Sequence, residues 1–172
     1  MIVMAALYLV VFIGVAYLTR AKALRIAGAM CGSAVFGLIA VVAAVQGERQ
    51  GWWRAPRAGF SHFWLLLWLV FAVSCAQVYL ITWRTARSFG ARGLALFVLA
   101  AAAVGPARDY WIAATFPEWI TFSPGVVTVL AVATIYAMLV VVGHAIMRGV
   151  SGPARGDSLA RSPSSVGKNN PK

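Results

Sequence analysis

A few side chains in this sequence have the chemistry for acid–base or anion-holding work, and they sit outside its long apolar runs. Arg108, Asp109 and Glu118 lie in GPARDYWIAATFPEW (105–119), and His62 closes QGERQGWWRAPRAGFSHF (46–63). The whole chain carries four acidic residues, so two in one short stretch is a concentration. Carboxylates and histidine can move protons, and arginine can hold an oxyanion through its planar fork of donors. Asp109, Glu118, Arg108 and His62 are therefore the candidate site residues. Structural pairing of the acids with Arg49, Arg54 or Arg57 in a compact cap is the plainer expectation. Arg108 is a further partner for Asp109.

No spacing turns these residues into a recognised motif. The sequence has no Walker A loop, GxGxxG, HExxH or GxSxG pattern, each of which needs a fixed set of residues to hold a phosphate, metal or acyl group. Cys31 and Cys75 form no CxxC pair and read as small buried residues. No cofactor or metal is expected. If His62 opens one helix and His144 closes another at the opposite membrane face, about 20 helical residues, or roughly 30 Å, separate them, too far for one shared ion.

The elements that must position these residues follow from composition. Of 172 residues, 62% are hydrophobic and 11% charged, whereas soluble domains average about 45–50% and about 25%. The chain is built for lipid. The net charge of +11 does not indicate nucleic acid, because the basic residues fall in short clusters between apolar runs.

Five apolar segments follow one another: 1–18, about 25–45, about 62–83, about 88–105 and about 124–147. In hydrocarbon every backbone polar group must be satisfied within the segment, so continuous apolar runs of about 20 residues are helices. The first segment lacks a basic leader and reads as a retained span. The fourth is short unless Arg92 reaches the interface.

The chain is thus expected to be all-α: an integral membrane bundle of five transmembrane helices. Residues 1–148 form the membrane domain. Residues 149–172, rich in Gly, Pro, Ser and Arg, form a disordered basic tail. Pro106 is expected to end the fourth helix and start a short interfacial helix before the fifth. The alternative is that the fourth helix continues through a kink, which would carry Asp109 into the outer third of the hydrocarbon. Ser123-Pro124 has the chemistry of a helix start.

With the N-terminus outside, eleven basic residues fall inside and four outside, the positive-inside arrangement. The expected location is the inner cell membrane, with an extracytoplasmic N-terminus and a cytoplasmic C-terminus.

Packing signals concentrate in the second segment, where Gly28, Gly32, Ser33 and Gly37 form a stripe of small residues. Such stripes let helix backbones approach, within one chain or between two copies. Ser74 and Gln77 share one face of the third segment, as an interhelical bond or a polar notch lining a ligand site. Tyr136 needs a partner for its hydroxyl, and His144 is expected to be interfacial or hydrogen-bonded.

These observations imply a multi-pass membrane protein of non-catalytic, accessory or lipid- or partner-binding character. Its expected partners are membrane lipids and other membrane proteins or a second copy. The alternative is a membrane-embedded enzyme acting on a lipophilic substrate at Arg108, Asp109 and Glu118. A small transporter comes third, weakened by the lack of inverted repeats. A deep pocket with converging polar groups at Arg108 and Asp109 would favour the enzyme, and a flat, filled surface there the non-catalytic protein.

Overall fold

The computed structural model describes residues 2–59 and 62–153. Its elements in order are α1 (Ile2–Thr19), α2 (Ala23–Arg49), β1 (Trp53–Arg54), a 3-10 turn (Pro56–Gly59), α3 (Phe63–Thr115), β2 (Thr121–Phe122) and α4 (Val126–Ser151). The fold is all-helical apart from the two short strands. Helices α2, α3 and α4 are long and apolar enough to cross a membrane. Residues 154–172 of the expected tail lie outside the described residues.

At 53 residues α3 would be about 80 Å long if straight, far more than the roughly 30 Å of a bilayer core. It is not straight. Gly90 has φ 64° and ψ −150°, a backbone region open essentially to glycine alone. An ideal Cβ placed on Gly93 would lie 3.3 Å from the Thr85 carbonyl oxygen. Eight residues along an unbroken helix would separate them by about 12 Å. The chain therefore folds back at Gly90, and the limbs 63–89 and 91–115 lie side by side. Phe63 and Arg108, 45 positions apart, line one cavity as a result.

The second limb corrects the expectation at Pro106. The helix passes through Pro106 and ends at Thr115, so there is no break and no separate short helix. Proline in a helix interior loses a hydrogen bond and crowds the preceding turn, at about 3 kcal/mol. Neighbouring helices can compensate within a bundle. Gly105 and Pro106 are both buried, and Gly105 lies under the Tyr136 ring, where any Cβ would clash. Helix α4 likewise starts later than the Ser123-Pro124 signal, at Val126 with Gly125 as its cap.

The small residues of α2 lie at its buried contacts. A Cβ on Gly28 would meet the Met147 carbonyl at 3.0 Å, and one on Gly32 the Gly143 carbonyl at 2.6 Å, both on α4. Gly37 faces Trp68 of α3. Ser33, fully buried, donates to the Phe71 and Ala72 carbonyls at 3.0 and 2.5 Å. The Trp68 indole donates to the Ala34 carbonyl at 3.0 Å. Around this seam Phe36, Tyr79, Leu80, Trp83, Val140 and Met147 form the core.

At one end of the bundle, the cap end, the two long loops join. Strands β1 and β2 pair antiparallel, Trp53 with Phe122 and Arg54 with Thr121. The Ser123 amide donates to the Trp52 carbonyl at 2.9 Å, and its hydroxyl to the Gly51 carbonyl at 2.5 Å. The Trp53 indole donates to the Ala44 carbonyl at 2.9 Å and fills the space over Gly47. Phe122 meets Trp53 edge-on and stacks on Tyr110 at 4.7 Å. Backbone pairing and aromatic packing thus hold the cap. Glu48 serves it by accepting from the Ala55 amide at 3.2 Å.

Candidate functional site

A cavity of about 590 Å³ lies between α2, both limbs of α3, α4 and the cap, within the range of about 300–1,000 Å³ typical of small-molecule sites. Its walls are mainly apolar and aromatic. Trp53, Trp119 and Phe122 come from the cap, Phe36 and Ala40 from α2, and Phe97 and Ala101 from the second limb of α3. The polar groups on its wall include Arg108, Asp109, Tyr8, Tyr136, Ser74 and Gln77.

Four of these converge. Arg108 donates through Nη1 to the Tyr136 hydroxyl at 2.8 Å and through Nη2 to the Tyr8 hydroxyl at 3.1 Å. The Tyr136 hydroxyl in turn donates to Asp109 Oδ1 at 2.8 Å. Arg108 Nη1 stands 3.7 Å from the same oxygen. The geometry follows from sequence spacing. Residues i and i+1 of a helix point about 100° apart and do not face each other. Asp109 therefore cannot take the Arg108 fork head-on, and Tyr136 of α4 bridges the two. Helix α1 supplies the fourth member, Tyr8, from a hundred positions away.

The expected site residues divide. Arg108 and Asp109 come together in the cavity wall, and Arg108 is the cation beside Asp109. Glu118 is exposed in the turn after α3 and His62 is exposed just before it, and neither lines the cavity. His62 has φ 69° and its side chain makes no cap bond; it stands where the chain turns into α3. Ser74 and Gln77 both line the cavity. Ser74 bonds within its own helix, to the Phe71 carbonyl at 3.5 Å, and the buried Gln77 Oε1 has no hydrogen-bond partner. Tyr8 carried no signal in the sequence.

The opposite end, where the chain turns between α1 and α2 and at Gly90, holds a second polar group of different character. Arg25 is 1% exposed. It donates to the Gly152 and Ser151 carbonyls at 2.9 and 3.1 Å and lies over the Trp83 ring at 5.3 Å. These carbonyls end α4, where the helix dipole favours a cation. Beside it Thr82 Oγ1 and His144 Nδ1 are 3.1 Å apart. His144 is thus hydrogen-bonded, and 20 residues of one α3 limb separate Thr82 from His62, about 30 Å. No group of three or more His, Cys, Asp or Glu side chains converges among the described residues.

Comparison of the chain with known protein families, with curated proteins and with solved structures gives no match.

Proposed function

We propose that the chain is a five-span membrane protein whose cavity binds a lipophilic molecule. The two limbs of α3 count as the third and fourth spans and α1 as the first, with the cap outside and the Arg25 end in the cytoplasm. The positive-inside distribution supports this orientation: Arg84, Arg87 and Arg92 flank the Gly90 turn, and Arg20, Lys22 and Arg25 the turn before it. A reporter fused after Gly149 is expected to read cytoplasmic; an extracytoplasmic reading would overturn the orientation.

The observation that carries the binding function is the largely apolar cavity with one convergent polar cluster, the usual make-up of a small-molecule site. The protein purified from its membrane should yield an equimolar lipophile in the organic extract, returned unchanged after incubation. Extracts without one would overturn the reading.

A second reading, an enzyme acting on a lipophile, draws on the Tyr136 hydroxyl set between Arg108 and Asp109 as a proton path. Binding is favoured because Glu118 and His62, the other acid–base candidates, stand away from the cavity. Chemical alteration of the extracted molecule on incubation would favour the enzyme.

A further inference from the structure

Resting on the binding function above, we infer that the ligand is a lipophilic acid whose oxyanion, a carboxylate or phosphate, seats on Arg108 and Tyr8. A guanidinium has five N–H donors and no acceptor. Arg108 makes one hydrogen bond to each of two tyrosine oxygens, leaving three donors. Asp109 does not consume them. Its Oδ1 stands 3.7 Å from Nη1, an ion pair longer than a hydrogen bond, and accepts from the Tyr136 hydroxyl. The Tyr8 oxygen is the acceptor in its bond with Arg108, so its own hydrogen remains to be given.

The cluster thus offers donors, and a positive charge, toward the cavity. The Arg108 side chain is 49% exposed and that of Asp109 28%, so the cation is the more accessible of the two charges. An arginine within a membrane span is tolerated when an anion or water meets it. Planar donor pairs match carboxylate and phosphate oxygens, with Tyr8 adding a third contact. The apolar walls receive the rest of the molecule. Free inorganic phosphate would use the donors and leave those walls unused.

The test is isothermal titration of the full chain in a neutral detergent with hexadecanoate, hexadecyl phosphate, hexadecanol and inorganic phosphate. At least one of the acids should bind about tenfold or more tighter than the alcohol, the scale of a hydrogen bond to a charged group. Comparing the two acids identifies the head. Arg108→Gln should erase the preference, bringing the acids to the level of the alcohol. Tyr8→Phe, a milder change should Arg108→Gln not fold, should reduce the preference by about tenfold, as for one hydrogen bond to a charged oxygen. Equal binding of acids and alcohol overturns the oxyanion assignment and leaves the lipophile cavity standing. Binding of none of the long-chain probes, or inorganic phosphate binding as tightly as hexadecyl phosphate, overturns the cavity function itself.

Discussion

The two ends of the bundle each hold an arginine among aromatic rings, and they use it in opposite ways. Arg25 is fully buried, and two of its donors end on backbone carbonyls at the C-terminal end of α4. Arg108 is half exposed, and its bonds go to phenol oxygens on two other helices. Around Arg25 the core is closed by Trp83, Tyr79 and Met147. Around Arg108 the helices part to leave the cavity. Each arginine makes two such hydrogen bonds, and the difference lies in burial: Arg25 is enclosed with its acceptors, whereas Arg108 borders open space. Arg25 acts as a clasp, and Arg108 is the proposed site.

The comparison breaks most visibly if the closed end is forced open. Gly32→Leu drives a side chain into the Gly143 backbone; overpacking costs about 1–3 kcal/mol and at times more. Because backbone carbonyl yields little, about 3 kcal/mol or more is expected. A melting profile in detergent should show it; an unchanged midpoint would refute the tight α2–α4 contact. Arg25→Met keeps the apolar stem and removes two charged hydrogen bonds, so about 3 kcal/mol, the lower end for two such bonds, should be lost. The folded fraction should still bind the ligand. Loss of binding at full stability would reverse the roles assigned to the two ends.

Asp109→Asn tests the other region. It retains shape, removes the charge and weakens the bond from Tyr136, at about 1–2 kcal/mol of stability. Acid binding should persist or tighten, because the guanidinium loses its nearby negative charge. Weaker binding of hexadecanoate by this variant would contradict a donor-only seat. The smallest stability effect belongs to Ala101→Phe, at a position that lines the cavity beside the core; it should shift stability within about 1 kcal/mol.

Much of the architecture was legible in the chain because lipid permits few solutions. The runs within 23–49 and 126–151 are continuous and apolar, and each forms one helix. The reversal in α3 was legible only approximately. The basic cluster Arg84–Arg87 suggested a loop, yet those residues are helical and the turn waits for Gly90, which alone accepts the required φ and ψ. Pro106 misled for a related reason. Its local preference for a helix start is outweighed by burial of Gly105 and Pro106 against α4.

The site was half legible. Scarcity of acids drew attention to Asp109 and its neighbour Arg108. The expected partner was an arginine alone; neighbouring helix positions diverge, and Tyr136, marked as a hydroxyl in need of a partner, bridges the two. Tyr8 could not be found, because nothing local distinguishes it from a lipid-facing tyrosine. Arg25 read as a loop cation because its neighbours are basic; only the tertiary position of the α4 terminus makes it internal.

The most direct test of the central claim, that the cavity is a lipophile site, is native mass spectrometry of the full chain from its membrane beside Ala101→Phe. The account predicts an equimolar lipophile adduct on the wild-type chain that survives mild activation and is absent from the folded variant. Identical adducts on both proteins, as surface lipid would give, or no adduct on either, would contradict it.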